Sequence, residues 1–160
     1  MLATTAFASG YSIPSFGGCS KKMPLTLLSR ADSPYARCMD GSPGGYYLAA
    51  NSSSASWVIE LEGGGECASK VNCDGRKGSA LISPKYSPKD HSPASLLADS
   101  DANPRLRTFN RVFVPYCSQD LWTGQRTSAS DETFGYYFAG RHVLAGVLDA
   151  LDASSGLGGA

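Results

Sequence analysis

Three consecutive glycines at positions 63–65 follow a short apolar segment and form the part of the sequence best suited to chemistry. The segment, W-V-I-E-L at 57–61, is rich in β-branched and aromatic residues, which is typical of a buried strand. Glycine adopts backbone angles that are closed to other residues and lets another atom approach the backbone closely. Unpaired N–H groups at the end of a buried strand can therefore stabilise a negative charge that develops on an oxygen atom.

The residue before the glycines, Glu62, distinguishes this loop from the H-G-G-G loops that supply oxyanion-hole donors in lipases and esterases, where histidine stands first. We expect the Glu62 carboxylate to fix the loop through hydrogen bonds to backbone donors rather than to transfer protons. On these residues alone, a glycine-rich β-turn without chemistry is the alternative interpretation.

Composition and charge indicate one globular domain and argue against two function classes. The chain has 160 residues, of which 42% are hydrophobic and 18% charged, and this suits a single domain with a packed core. Fourteen basic and fourteen acidic residues cancel without a run of either sign, so a basic face for nucleic acid has no support. No apolar segment approaches the length of a membrane span.

The five cysteines favour disulfides over a metal site. They form no C-x-x-C pair, and His91 and His142 lie far from them in sequence, so neither a zinc site nor a cofactor is predicted. Disulfides formed in an oxidising compartment explain the cysteines better than a metal site does. Two disulfides use four of the five cysteines, and Cys19 is the one left over. Asn51 begins an N-S-S glycosylation sequon in a serine-rich loop, which agrees with secretion.

The pattern along the chain predicts an N-terminal arm followed by one domain. Residues 1–35 are expected to form a leader or a poorly ordered arm, and residues 36–160 the domain. Residues 46–48 are interpreted as a strand that could pair with residues 57–61 as a hairpin, and residues 111–117 as a second clear strand. The intervening residues 68–110 are expected to form a long loop with short helical turns at 79–82 and 95–98.

An amphipathic helix is predicted from about Thr133 to the glycines after position 155, with Asp131 as a cap or first-turn acid. His142 within it is expected to be structural. The members of the predicted apolar face are Phe134, Tyr137, Phe138, Leu144, Leu148 and Leu151. The order of elements predicts an α/β layered domain with a mostly parallel central sheet. The nucleophile turn G-x-S-x-G of an α/β-hydrolase is absent from the sequence.

Several motifs together resemble the signature blocks of the pectin acetylesterase/Notum family. They are C-M-D-G-S-P-G-G-Y-Y at 38–47, W-V-I-E-L-E-G-G at 57–64 and N-R-V-F-V-P-Y-C at 110–117. The loop S-Q-D-L-W-T-G at 118–124 is similar to the Notum branch, and F-A-G-R at 138–141 is similar to the plant enzymes. The resemblance runs in the family's order from about Cys38 to Gly159.

The resemblance implies the N-terminal part of an α/β-hydrolase fold, in a secreted serine carboxylesterase that removes acyl groups from a polysaccharide or a protein. By resemblance, Gly64 and Gly65 donate N–H groups to the oxyanion. The implied disulfides are Cys38 with Cys117 and Cys67 with Cys73. The serine, aspartate and histidine of the catalytic triad would all lie beyond Ala160, so no residue of this chain is assigned a triad role.

Two positions depart from the family pattern and leave the substrate open. Notum carries tryptophan at the position of Gly65, and the plant enzymes carry tryptophan at the position of Glu66. Glu66 and Trp122 are therefore candidates for the substrate pocket, although Glu66 could point to solvent and Trp122 could anchor its loop. The expected partner is an acylated polysaccharide or an acylated protein, without nucleic acid.

Two hypotheses of different class follow. In the first, the chain is the N-terminal half of an ester hydrolase, and the abrupt end of the sequence favours this reading. In the second, it is a non-catalytic extracellular binding or regulatory module that keeps the substrate-facing loops.

Overall fold

A computed structural model describes residues 22–101 and 103–159 of the chain. Five strands lie within these residues: β1 (Met23–Leu27), β2 (Gly45–Ala49), β3 (Trp57–Leu61), β4 (Asp90–His91) and β5 (Asn110–Val114). The α-helices of this part of the chain are α1 (Lys70–Asp74) and α2 (Gly140–Ser155). Short 3₁₀ turns lie at Pro84–Tyr86, Ser95–Leu97, Leu106–Thr108, Asp131–Thr133 and Leu157–Gly159. The longest described helix, α2, has 16 residues, and no described helix combines the length and apolarity needed to cross a bilayer.

The strands form one mixed sheet in the order β3-β5-β2-β1-β4. Strands β3 and β5 are parallel, with Leu61 opposite Val114, whereas the other three pairings are antiparallel. The expected parallel arrangement therefore holds for one pair of the described strands. Because β3 and β5 run in the same direction, their carboxyl ends lie side by side at one edge of the sheet.

The two faces of the sheet have separate covers. Val112 and Val114 of β5 are fully buried with Val143 and Val147 of α2, so α2 covers one face. The alternate residues of the strands belong to a second buried cluster that includes Leu97 from the long connection. Burying one aliphatic side chain completely stabilises the fold by about 1.5–3 kcal/mol. The packing on both faces of the sheet therefore contributes substantially to the stability of the fold.

The N-terminal boundary differs from the expectation. Residues 23–27, predicted to lie in a poorly ordered arm, form β1 between β2 and β4, and Met23 is completely buried. The apolar patch at 23–28 is too short to mark an element by itself, but pairing with β2 buries it. Residues 1–21, including Cys19, lie outside the described residues.

The predicted hairpin of residues 46–48 with 57–61 is also wrong. Strand β5 lies between β2 and β3, and it pairs with β2 antiparallel and with β3 parallel. The residues between β2 and β3 favour a turn, and they do not indicate that another strand lies between β2 and β3 in the sheet. That strand, β5, begins about 50 residues later in sequence.

The long helix begins later than its apolar pattern predicted. Phe134 and Gly135 adopt left-handed angles (φ +57° and +81°), which end the Asp131–Thr133 turn, and α2 starts at Gly140. The buried face of α2 comprises Gly140, Val143, Gly146, Val147 and Leu151. Leu148, assigned to the apolar face, is 37% exposed. The predicted stop is correct, because Gly156 ends the helix with φ +71°.

The structure contains both disulfides that the family resemblance implies. Cys38 and Cys117 are 79 positions apart in sequence with Cα atoms 4.9 Å apart, and they tie the segment before β2 to the end of β5. Cys67 and Cys73 have Cα atoms 5.1 Å apart and join the glycine loop to α1.

Candidate functional site

Glu62 joins the loops that leave β3 and β5. Its N–H donates to the carbonyl of Val114 (3.0 Å) and continues the parallel ladder by one residue. Its carboxylate Oε2 accepts the N–H of Tyr116 (2.8 Å), and its carbonyl accepts the indole N–H of Trp122 (3.1 Å). Glu62 thus has the hydrogen-bonding role that its position beside backbone donors suggested.

The glycines at 63–65 form an exposed loop directly after this junction. A Cβ on Gly64 would lie 3.2 Å from the Tyr116 ring, so glycine lets the backbone pass this ring without crowding it. Gly65 has φ +74°, which L side chains rarely adopt. None of the hydrogen bonds among the described residues uses the N–H of these three glycines. The loop therefore presents free backbone donors, while an oxyanion role for Gly64 and Gly65 stays a prediction.

Arg76, at the end of the α1 turn, contacts the other side of the glycine loop. Its Nη1 donates to the carbonyl of Gly64 (3.2 Å) and its Nη2 to the carbonyl of Glu66 (2.8 Å). The Cys67–Cys73 disulfide connects the same two segments covalently. The glycine loop is thus attached to α1 through both a side chain and a covalent bridge.

The loop after β5 contains an unusual concentration of left-handed backbone. Gln119, Leu121 and Trp122 have φ of +52°, +55° and +62°. Asp120 holds this conformation, since its carboxylate accepts from Ser118 Oγ (2.7 Å), from the N–H of Trp122 (3.1 Å) and from the N–H of Gly140 (2.7 Å). A carboxylate at the N-terminus of α2 also interacts favourably with the helix dipole. The hydrogen bonds of the Asp120 carboxylate therefore serve to hold this loop in place.

Trp122 anchors its loop. Its ring lies 5.1 Å from the Tyr116 ring between centroids and packs against the core cluster beneath α2. Tyr116 is 1% exposed, and its hydroxyl accepts the N–H of Leu121. Burial, followed by the charge of Asp120, raises the pKa of Tyr116 despite that hydrogen bond, so the phenol is neutral at physiological pH. A substrate contact for Trp122 stays a prediction that these contacts do not support.

A cavity of about 300 Å³ opens between the two loops. Its lining residues are Glu66, Cys67, Gln119, Asp120, Leu121, Phe134 and Phe138. Glu66 thus adjoins the cavity, whereas Trp122 is not part of its lining. Gln119 is 1% exposed and donates Nε2–H to the carbonyl of Tyr116 (3.3 Å), but its Oε1 has no partner among the described residues.

Both histidines lie away from the glycine loop. His91 belongs to β4 at the opposite edge of the sheet, where its ring stacks on Phe113 (4.1 Å between centroids). His142 is half-buried on α2 against Tyr35. In the described part of the chain no group of three His, Cys, Asp or Glu residues is arranged to hold a metal ion.

The glycosylation candidate Asn51 has its side-chain amide in use. Its Nδ2 donates to the carbonyl of Thr108 (2.6 Å), and its Oδ1 accepts the N–H of Ser53 (3.1 Å). These contacts attach the serine-rich loop to the segment before β5. Glycosylation of Asn51 stays a prediction.

The sequence interpretation missed Arg76, Tyr116 and Gln119 as members of this site. Arg76 and Gln119 lie in polar loops without periodicity, and their positions depend on how the chain turns back. Tyr116 carried a usable signal, because it lies near the end of the predicted strand 111–117, directly before the polar loop that follows.

Comparisons with known proteins agree with this architecture. The pectinacetylesterase family model matches residues 19–160. The palmitoleoyl-protein carboxylesterase NOTUM of Homo sapiens is 37% identical over 126 residues, which cover 77% of this chain and 25% of that protein. The inactive palmitoleoyl-protein carboxylesterase notum1b of Danio rerio is 40% identical over 106 residues, covering 64% of this chain and 74% of that protein. The structure of the Wnt deacylase Notum from Drosophila superposes with a TM-score of 0.77 and 31% identity, covering 86% of this chain and 40% of that one.

The mixed sheet with its covering helix and strand-end loops defines an α/β-hydrolase-like fold. Within that fold class, the chain belongs to the pectinacetylesterase family, whose matched relatives include carboxylesterases of the Notum type. The resemblance seen in the sequence motifs is thereby confirmed. The chain spans about a quarter of the length of the Xenopus laevis and human relatives, at 24% and 25%.

Proposed function

We propose that this chain supplies the oxyanion-binding part of a serine carboxylesterase that removes acyl groups from a polysaccharide or a protein. The observation that carries the proposal is the glycine loop at the carboxyl end of β3, where the N–H groups of Gly64 and Gly65 have no acceptor among the described residues. The carboxyl ends of strands are where α/β folds place ligands.

In acyl transfer the carbonyl oxygen of the ester becomes negative as the nucleophile adds to the carbonyl carbon. Backbone N–H groups that are already oriented toward that oxygen stabilise the transition state more than the ground state. Gly64 and Gly65 would supply two such donors. The serine nucleophile, the histidine base and the aspartate that orients it would come from sequence that follows Ala160 in the family's order.

The cavity between the loops favours an uncharged acyl or alcohol group. Phe134 and Phe138 line it together with Glu66. A negative charge at Glu66 beside the cavity would repel anionic substrates, so we expect neutral acyl esters to be preferred over free uronates. The relatives' printed activities, palmitoleoyl-protein carboxylesterase and Wnt deacylase, support an acylated protein as one substrate class. The two disulfides support secretion as part of this proposal, because disulfides persist in oxidising compartments.

The test compares two glycine variants in the protein expressed from its full coding sequence. Gly65→Pro removes one N–H donor and also forces φ from +74° to about −65°, and together these changes should lower kcat on p-nitrophenyl acetate by about a hundredfold or more. Gly78→Pro is the matched control, because Gly78 also has positive φ (+79° against +74°) and open space around it, but lies outside the glycine loop. Parental kcat in folded Gly65→Pro protein would contradict an oxyanion role.

Fluorophosphonate labelling locates the nucleophile independently. The full coding product should be labelled at a serine within G-x-S-x-G, and the isolated 160-residue chain should not be labelled. Labelling within residues 1–160 would show that the nucleophile has been misplaced.

A non-catalytic module is the second candidate. The observation in its favour is the Danio rerio relative, which is described as inactive and of which this chain covers 74%. A stop codon directly after Ala160, or a full product without fluorophosphonate labelling, would support this candidate against the esterase.

A further inference from the structure

We propose that Arg76 is a positioning residue that keeps the Gly64–Gly65 peptide in the orientation that oxyanion binding requires. The proposal rests on the function proposed for the glycine loop. Arg76 contacts no substrate in this scheme, and it acts only through the backbone carbonyls to which it donates.

The guanidinium group holds two carbonyls of the loop on the same side. Nη1 donates to Gly64 O (3.2 Å) and Nη2 to Glu66 O (2.8 Å). The planar guanidinium presents its donors in a fixed fork, so the two carbonyls are oriented together. Among the described residues Arg76 forms no ion pair, and its guanidinium makes no other hydrogen bond. Its charge is therefore directed at the loop.

The direction of each carbonyl fixes the direction of the N–H that follows it. In a trans peptide the C=O and the next N–H point in opposite directions, so the N–H groups of Gly65 and Cys67 point away from Arg76. The Cys67 N–H does so visibly, because it donates across to the carbonyl of Gln119 (3.2 Å) in the loop after β5. The Gly65 N–H points away from Arg76 in the same manner, but without an acceptor among the described residues.

A lock is needed at this peptide because glycine stands on both sides of it. A peptide flip changes ψ of the first residue and φ of the second, and neither glycine has a Cβ to oppose the change. After a flip, the Gly64 carbonyl oxygen would replace the Gly65 N–H, and its partial negative charge would repel an oxyanion. Arg76 favours the active orientation because a flip would break its hydrogen bond to Gly64.

Arg76 is itself well placed to act as a fixed support. Its N–H donates to the carbonyl of Cys73 (3.1 Å), and its carbonyl accepts from Ser79 Oγ (2.7 Å). The disulfide from Cys73 to Cys67 limits how far this turn can move from the loop. The Arg76 backbone is therefore held by hydrogen bonds at both its N–H and its carbonyl, and from this fixed position the side chain reaches the two carbonyls of the glycine loop.

The kinetic test uses Arg76→Ala, Arg76→Lys and the control Lys77→Ala in the full coding product. Lys77 is adjacent and carries the same charge, but it pairs with Asp74 (2.9 Å) rather than with the loop. Arg76→Ala should lower kcat on p-nitrophenyl acetate by about tenfold or more with KM within about twofold, because only the fraction in the active orientation reacts. Arg76→Lys should recover part of the loss, since an ammonium is a point charge rather than a fork. Lys77→Ala should keep the parental kcat.

A second measurement separates this proposal from the proposed esterase function. In protein labelled with ¹⁵N-glycine, the nuclear Overhauser effect between the Gly64 Hα atoms and the Gly65 amide proton reports the peptide orientation without catalysis. The intensity of this effect should change in Arg76→Ala and stay parental in Lys77→Ala.

An unchanged orientation of the Gly64–Gly65 peptide, or parental kcat, in folded Arg76→Ala would overturn the proposal. If Arg76→Ala does not fold, Arg76→Lys is judged by the same two criteria. A parent protein without serine-dependent activity would contradict the esterase alone, because the spectroscopic comparison still decides the role of Arg76.

Discussion

Glu62 is the residue on which the geometry of the site depends most directly. A single glutamate provides an N–H, a carboxylate oxygen and a carbonyl oxygen to three partners on the β5 side. The loops after two strands are thereby held at a fixed separation. The contact with Tyr116 matters most, because that residue is 1% exposed and its N–H has little access to water.

Glu62→Ala should reduce the free energy of unfolding by about 1–3 kcal/mol, the usual cost of leaving a buried donor without an acceptor. Glu62→Gln keeps an acceptor oxygen and should cost less. Urea unfolding midpoints measure the differences. Glu132→Ala serves as the control, because the one side-chain interaction of Glu132 within the described part of the chain is an exposed pair with Arg126 at 3.9 Å. Equal midpoints for parent and Glu62→Ala would contradict the bonding role of this carboxylate.

At this scale the sequence identified the residues that are adjacent along the chain, and it missed those brought together by folding. The glycines and Glu62 form one contiguous motif after a strand, so the exposed glycine loop and the hydrogen-bonding role of Glu62 could be predicted. Arg76 acts on carbonyls 10 and 12 positions earlier, and this depends on the path of the α1 turn. Gln119 is buried by packing that its polar sequence neighbours do not reveal.

Among the elements, the five-residue helix α1 supports the glycine loop and connects it to the segment before α2. Its last residue, Asp74, accepts from Lys70 (2.6 Å) and from the Tyr136 hydroxyl (2.6 Å), and it pairs with Lys77. Tyr136 belongs to the buried cluster that contains Cys67 and Cys73. Asp74 therefore connects the helix that supports the glycine loop to the segment before α2.

This carboxylate gives the stability of the protein a pH dependence with a defined sign. Lys70, then the Tyr136 hydroxyl and Lys77, hold the pKa of Asp74 well below its usual range. A depressed folded-state pKa stabilises the protein above the unfolded value of about 4, and this contribution is lost as the pH falls toward the folded value. The Tm difference between the parent and Asp74→Asn should therefore be largest above about pH 5 and shrink in acid. The control Asp149→Asn gives the Tm change caused by removing an exposed carboxylate from α2. A pH-independent gap in Tm between the parent and Asp74→Asn would contradict the assignment.

Element types were easier to predict than their limits and their neighbours. The strands at 57–61 and 110–114 and the helix that Gly156 ends all carry strong local patterns. The start of α2 was misplaced because Phe134 and Phe138 match the helical spacing by coincidence, and instead line the cavity. The pairing of β2 with β5 depends on contacts distant in sequence, which periodicity does not encode.

At the scale of the whole molecule, the two disulfides differ in the length of chain that they close. Cys38–Cys117 encloses most of the sheet, whereas Cys67–Cys73 encloses one turn. In the chain-entropy model the first contributes about 4.5 kcal/mol and the second about 2.4 kcal/mol. Global stability should therefore depend mainly on the first bridge, and local geometry at the glycine loop on the second.

Two double variants test this division. Cys38→Ser with Cys117→Ser should lower Tm more than Cys67→Ser with Cys73→Ser, because the longer closed loop restricts the unfolded chain more. Calorimetry under non-reducing conditions gives both values, and mass mapping of the oxidised parent verifies the pairing. Equal losses of Tm, or a peptide joining Cys38 to Cys67, would contradict this division.

Strand β3 forms one border of the sheet and, among the described strands, has β5 as its single neighbour. Such a border displays main-chain donors and acceptors to the surrounding solution and can recruit the same border of a second molecule. Trp57, Val58 and Ile59 add apolar character, whereas Glu60 places a charge that opposes association. Glu60→Ala should therefore raise the light scattering of concentrated solutions of the 160-residue chain at neutral pH, and unchanged scattering would show that this border does not recruit a second molecule.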